Sequence, residues 1–248
     1  MENNVTLYET ADVLKKYGSK KSRSRQLNNA ERIFVDTYQI YNKKVLVLGS
    51  GAGRVPSNLS LFGNDVTAIE LSKGLFSLSL EAYPPNRFSN IKFIHGDATD
   101  LSQLPDKEFD VTFFPMNGLD LIRPIENREQ ALREMVRKCA PGGLLAFASH
   151  NILACSYSYK VPFRSRTMRL KIPDFIYERE NVVGGGELFK GRASYIIKRT
   201  QEITGCKYVG HTCDVRSRLD GILSTKLWRS APVFPYILYV FRAPTTEE

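Results

Sequence analysis

The sequence predicts an α/β protein of the Rossmann-like kind: a doubly wound, mostly parallel sheet with an antiparallel C-terminal strand pair and an inserted lid. Three observations predict it. Short apolar runs alternate with amphipathic stretches as far as residue 151. The early apolar runs show no polar alternation, as strands covered on both faces require. A strand-to-helix junction, "VLVLGSGAGRVP", carries Gly49, Gly51 and Gly53 two apart. Right-handed crossovers then give a sheet that binds ligands at the carboxyl ends of its strands.

Each element has its own signal. "RQLNNAERIFVDTYQIY" places Leu27, Ile33, Phe34, Tyr38 and Tyr41 near helical spacing, and "KVLVLGS" is a buried strand. A helix through Leu61 precedes a second strand, "DVTAIEL"; "KGLFSLSLEAY" is a helix stopped by Pro84 and Pro85. "IKFIHGDA" and "FDVTFFP" are the third and fourth strands, with His95 pointing into the sheet. "REQALREMVRKCA" is an amphipathic helix closed by Pro141, Gly142 and Gly143, and "LLAFASHN" is the fifth strand. After Asn151 the period breaks into an aromatic, basic, Pro/Gly-punctuated stretch, the expected lid. A helix near Ser194 to Thr204 and strands "KYVGHTCDV" and "VFPYILYVF" complete the order. The expected organisation is a helical, basic N-terminal arm over 1–42 and one domain over 43–248, with the lid at about 152–193.

The 248 residues carry 42% hydrophobic side chains, enough for a full core. No signal-peptide pattern and no membrane-length apolar run is present, which predicts a cytoplasmic protein with no membrane partner. Four cysteines at irregular spacing predict free thiols. The net charge of +9 favours an anionic partner, and Cys155 to Arg229 holds fifteen Lys/Arg against seven Asp/Glu. A second basic cluster, "KKYGSKKSRSR", is either a solvated mobile arm or a substrate gate.

Glycine at the first junction removes side chains that would keep a ligand from the backbone and the helix N-terminus. The second strand ends in Glu70, seventeen residues after Gly53, where a carboxylate can accept from two ribose hydroxyls. The third ends in "HGDA", which puts Asp97 at the next carboxyl end. Two acids closing successive strands beside a glycine loop point to a bound nucleoside.

With these motifs the chain resembles the class I S-adenosylmethionine-dependent methyltransferases, strongly over about residues 40–150. The resemblance implies S-adenosyl-L-methionine as cofactor and S-adenosyl-L-homocysteine as product. It implies that Gly49, Ser50, Gly51 and Gly53 pass under the methionine part, that Glu70 and Leu71 meet the ribose side, and that Asp97 and Ala98 meet the adenine. In "FFPMNGLDLI", Met116 and Asn117 would lie near the transferring methyl. "LREMVRKCAPGGLLAFASHN" is similar to the helix, turn and fifth strand of a small-substrate or peptide-tailoring branch. The family usually carries an acid two residues before the first glycine, and this chain has Val47 there. A backbone carbonyl or Asp120 is then expected to take the cofactor's ammonium group.

Methyl transfer chiefly needs alignment, with a base only where the acceptor must lose a proton. His150, at the carboxyl end of the fifth strand and facing the crevice with Asn117, is the one histidine placed to act, as base, hydrogen-bond donor or strand-end cap. Asn117 is expected to position the acceptor. His211 with Cys206 and Cys213 matches no common zinc spacing, so no metal is expected. Tyr157, Tyr159, Arg164, Arg166, Arg169, Lys171, Arg192 and Tyr195 are the expected acceptor contacts, with Tyr8 and Tyr17 closing over the cofactor. Guanidinium groups suit carboxylates, which favours O-methylation of a carboxylate on an acidic peptide, a peptide-like natural product or another small molecule. RNA methylation and a small-molecule N- or O-methylation using His150 as base stay open as alternatives. An NAD-dependent oxidoreductase is the weaker rival, because Arg54 and Val55 follow Gly53 where its fingerprint wants a third glycine further on.

Overall fold

The computed structural model describes residues 8–152, 173–179, 187–213 and 236–245. Its central strands are β1 (Lys44–Leu48), β2 (Asp65–Glu70), β3 (Ile91–His95), β4 (Phe109–Phe114) and β5 (Cys139–Asn151). They pair in the order β3-β2-β1-β4-β5, all parallel. Strand-side periodicity explains why β1 is apolar from Val45 to Leu48. Val45 and Val47 enter the core on one face, and Leu46 and Leu48 enter the core on the other.

Helices α1 (Ala11–Gly18), α2 (Lys20–Arg23) and α3 (Asn29–Thr37) precede the sheet. Helices α4 (Arg54–Ser60) and α5 (Lys73–Ala82) follow β1 and β2, and α6 (Ile125–Lys138) joins β4 to β5. Sequence caps set these boundaries. Asn28 and Glu31 form a reciprocal capping box at the start of α3, and Ser72 Oγ accepts from Leu75 N–H at the start of α5. The α6 helix begins at Ile125, three residues before the stretch expected from its pattern, and stops at Lys138. Pro141, Gly142 and Gly143 do not form the expected closing turn but lie inside β5, where the register to β4 shifts between Phe109 and Val111 and Gly142 has φ +71°. A bulge lets the strand absorb them.

The antiparallel C-terminal pair is present: β8 (Lys207–Cys213) pairs with β9 (Tyr236–Arg242), and β9 pairs with β5 from Leu144 to His150. Ahead of this pair in the chain, α7 (Ala193–Thr204) packs beside α6. Part of the stretch expected as a lid is sheet. A hairpin of β6 (Phe175–Arg179) and β7 (Glu187–Gly191) joins the main sheet, with β7 running parallel to β5 at His150 and Asn151, beyond the last β4 pair at Phe147. Its apolar side chains carry it there, since Phe189 is buried in the α6-side core and Leu188 is buried as well.

The basic N-terminal stretch is folded. Val13 is buried as α1 packs on α5, the Glu9 carboxylate accepts from Gly74 N–H, and Tyr83 Oη donates to Arg23 C=O. Lys15, Lys16, Lys20, Lys21 and Arg25 stay on the solvent side.

Candidate active site

The carboxyl ends of β1, β2, β3 and β4 bring four turns together. Ser50 N–H donates to Ile69 C=O and Gly53 N–H to Ser50 C=O, closing the loop tightly before α4. Its glycines differ in what they do. Gly49 has φ +61°, and a Cβ there would lie 2.6 Å from the Phe114 ring; Gly53 has φ +89° and faces Tyr83 at 2.8 Å. These two fit the protein to itself. Gly51 has φ +59°, and a Cβ on it would meet nothing within 4 Å. It borders open space.

Glu70 is 7% exposed, and its carboxylate is braced by backbone: Oε2 accepts from Gly51 N–H at 2.6 Å and Oε1 from Ser72 N–H at 2.9 Å. Burial pushes its pKa up against the opposing pull of the Ser72, Gly51 and Leu71 amides. Each oxygen keeps a second lone pair for a ligand. Leu71 presents its side chain to solvent, while its carbonyl meets His95 Nε2 at 3.0 Å; His95 is exposed, not turned into the sheet as expected. Asp97 sits two residues past β3, folded into a turn in which Oδ1 accepts from Thr99 N–H, and Ala98 is buried behind it.

After β4, Met116 adopts φ +54°, a costly conformation for a residue with a side chain, and stays 51% exposed while Asn28 Nδ2 donates to its sulfur at 3.5 Å. Asn117 caps the short 3-10 helix Gly118–Leu121. Asn117 Oδ1 and Ser50 Oγ are both buried with no hydrogen-bond partner among the described residues. Buried polar atoms are normally paired, so Ser50 Oγ next to Gly51 and Asn117 Oδ1 after β4 are two acceptors left for a polar ligand. The N-terminal helix closes on the same place: Ser72 Oγ donates to Tyr8 C=O, and Tyr8 is raised well above the ordinary phenol range by burial, with smaller contributions from Tyr17 and Glu70.

His150 is fully buried, and its Nδ1 lies 2.7 Å from Asp120 Oδ2. Asp120, also fully buried, accepts from His150 N–H at 2.8 Å and from Ser149 Oγ–H at 2.6 Å. It is therefore committed to β5 and does not stand in for the acid missing at Val47, which itself is buried in the sheet. Behind Asp120 lies Arg128, 3% exposed, its Nη2 at 3.7 Å from Oδ1 and its guanidinium 4.1 Å over the Phe189 ring. Burial lowers the Arg128 pKa, and Asp120 opposes that. The Tyr236 ring meets His150 edge-on at 4.6 Å.

The remaining expected residues divide. Arg192 precedes α7, with its Nε donating to Pro173 C=O. Tyr195 stacks on Phe175 at 5.3 Å against the α6-side core. Tyr157, Tyr159, Arg164, Arg166, Arg169 and Lys171 lie outside the described residues. His211 Nδ1 pairs with the Tyr208 hydroxyl at 2.8 Å, and Cys206 and Cys213 are buried free thiols. Sequence reasoning missed the Arg128 and Ser149 contacts and Tyr236. An arginine within an apolar helix face and a serine before His150 were the only signals.

Residues 46–147 match the family model described as "Methyltransferase domain". The chain is 32% identical over 131 residues to a demethylmenaquinone methyltransferase of Paenarthrobacter aurescens, covering 52% of this chain and 48% of that protein. It is 25% identical over 121 residues to a ubiquinone biosynthesis O-methyltransferase of Rickettsia bellii, covering 49% and 48%. The chain thus spans about half the length of the curated relatives it matches. Among solved structures, the fold is similar to the 1,6-didemethyltoxoflavin-N1-methyltransferase of Burkholderia thailandensis, bound to S-adenosylhomocysteine, with a TM-score of 0.67 at 11% identity over 97% of this chain and 88% of that one. The CcbJ methyltransferase of Streptomyces caelestis gives 0.64 at 15% identity over 97% and 98%. Residues 46–147 thus match a methyltransferase domain, and the fold is similar to that of S-adenosylmethionine-dependent methyltransferases.

Proposed function

We propose that this protein transfers a methyl group from S-adenosylmethionine to a small molecule whose hydroxyl or N–H must lose its proton, and that His150 takes that proton. The observation that carries the reading is the buried Asp120–His150 pair at 2.7 Å. A carboxylate accepting from Nδ1–H fixes the tautomer in which Nε2 is the basic ring atom. This is how a base is oriented. The quinone-pathway relatives and the toxoflavin enzyme support a small acceptor by their names.

When bound, S-adenosylmethionine supplies an electrophilic methyl on a sulfonium. Gly51 leaves the space, Ser50 Oγ and Asn117 Oδ1 offer acceptors to the methionine end, and Glu70 offers lone pairs to the ribose. Asp97 and Leu71 stand on the adenosine side. Asn117 aligns the acceptor at the mouth. Tyr8 and the first helix exclude water.

A carboxylate acceptor on a peptide, the favoured expectation from the sequence, needs no base and leaves the Asp120–His150 pair without a use. The lid arginines Arg164 and Arg166 that argued for it fall outside the described residues. His150→Gln decides between the two. With radiolabelled S-adenosylmethionine and a panel of phenols, heterocyclic N–H compounds and acidic peptides, transfer to the proton-bearing acceptors should fall about a hundredfold or more while S-adenosylhomocysteine still binds. Transfer to an acidic peptide that survives the substitution overturns the reading.

A further inference from the structure

Building on the methyltransferase reading, we propose that the acceptor is a flat conjugated ring bearing a hydroxyl or ring N–H, gripped by Tyr17 and Tyr236 with its polar edge toward His150. Seven large apolar or aromatic side chains are exposed among the described residues, and four of them, Tyr17, Leu71, Met116 and Tyr236, belong to elements at the carboxyl end of the parallel strands. Single exposed apolar side chains are ordinary; a group at one mouth marks a binding surface. These four include two phenols, each 38% exposed.

The phenols end two aromatic contacts. Tyr8 and Tyr17 are 6.1 Å apart at 33°, and Tyr236 meets His150 at 4.6 Å and 63°. The Tyr8 carbonyl also accepts from Ser72 Oγ–H beside Glu70, where the cofactor reading puts the ribose, and Tyr236 leads to the proposed base. Lys16 lies 5.5 Å over the Tyr17 ring. Planar partners gain from offset or edge-on contact with such rings, and saturated ones of equal size do not.

An anionic acceptor would instead need a free cation here. Four described cations are engaged elsewhere, Arg54 on Glu31 at 2.7 Å, Lys190 on Glu178 at 3.0 Å, Arg123 on Glu187, and Arg128 buried behind Asp120, while Lys16 lies over the Tyr17 ring, where a peptide carboxylate would compete with a flat ring for it. Met116, held by Asn28, adds a polarisable thioether of the kind that packs on ring edges.

The test uses the full chain saturated with S-adenosylhomocysteine and three probes: 2-naphthol, its saturated analogue decahydro-2-naphthol, and a glutamate-containing tripeptide. Calorimetry should give 2-naphthol an affinity about tenfold above the saturated analogue and no binding of the peptide. Tyr236→Leu should weaken 2-naphthol about three- to tenfold, and Tyr236→Phe should restore it. Equal binding of the two alcohols, absence of 2-naphthol binding, or preference for the peptide overturns the proposal, and the alcohol comparison stands on the native chain even if Tyr236→Leu fails to fold. Failure of S-adenosylhomocysteine to bind is a separate result that overturns the methyltransferase reading itself.

Discussion

The two halves of the crevice are built in opposite ways. The glycine-loop half is backbone: Glu70 is held by two amide N–H groups, and its partners Gly51 and Ser72 come from the loop and from its own turn. The His150 half is side chain on side chain, with Asp120, Arg128 and Ser149 converging from a 3-10 helix, α6 and β5. A backbone cradle tolerates variation in side chains, whereas a buried charge network fails when one member is lost. That difference predicts where substitutions hurt stability and where they hurt binding.

The largest effect belongs to Asp120→Leu. It strands a buried guanidinium, the Ser149 hydroxyl and both His150 donors in a space with no water-facing side. Breaking a buried pair in this way costs about 3 to 5 kcal/mol. Urea unfolding should show it; a loss under about 1 kcal/mol would mean that the network is not what holds the ends of β4 and β5 together.

Next come the glycines, which separate packing from binding inside one loop. Gly49→Ala must accept both a left-handed backbone and a methyl 2.6 Å from Phe114, together about 2 to 4 kcal/mol. Gly51→Ala carries only the backbone cost, about 1 to 2 kcal/mol, because nothing stands near its Cβ. Its damage should appear in calorimetry, as S-adenosylhomocysteine affinity lost about tenfold or more to a methyl group in the cradle. If Gly51→Ala binds normally, the open space at that residue is not the cofactor's.

Glu70→Gln sharpens the contrast because its two effects have opposite signs. Burial raises the Glu70 pKa in the folded state. A raised value gives stability that is fully present below the unfolded carboxylate pKa and is lost as pH rises through the folded one. The neutral Gln lacks this term, so the native chain should lose stability relative to Glu70→Gln on going from acid toward neutral pH. Cofactor affinity should move the other way, falling by about 1.5 to 3 kcal/mol for each charge-assisted hydrogen bond withdrawn. A stability gap flat with pH would place the charge of Glu70 in a better-solvated site than its 7% exposure indicates.

The same contrast explains what was legible in the sequence. Val45 to Leu48, the glycine spacing, Glu70 and Asp97 are contiguous or one strand apart, so periodicity and turn chemistry alone located them. The antiparallel end of the sheet was also legible, because Tyr236 to Arg242 is a plain apolar run. The Asp120–His150–Arg128 network was not, since its members are separated in sequence and nothing local distinguishes Arg128 in α6 from a surface arginine. The N-terminal stretch was obscured for a different reason. Its Lys-rich face pointed to a solvated arm, and the contacts that fold it down, Glu9 on Gly74 and Ser72 on Tyr8, are with residues more than sixty positions away. Likewise Pro141-Gly142-Gly143 carries every mark of a turn, and only the bulged register against β4 makes it strand.

The smallest effect tests whether the N-terminal helices matter to the site through their fold or through a contact. Asn28 does two things: its Oδ1 caps α3 at Glu31 N–H, 2.8 Å, and its Nδ2 reaches the Met116 sulfur at 3.5 Å. Asn28→Ala removes both and should cost about 1 kcal/mol in urea unfolding, the usual worth of a cap. Asn28→Asp keeps the cap oxygen and removes only the donor, so its stability should return to within a few tenths of a kcal/mol. Met116 would then be free to leave its left-handed conformation. A 2-naphthol affinity that drops in Asn28→Asp while stability holds would show that the N-terminal segment shapes the acceptor mouth by direct contact, and an unchanged affinity would confine its role to covering Glu70.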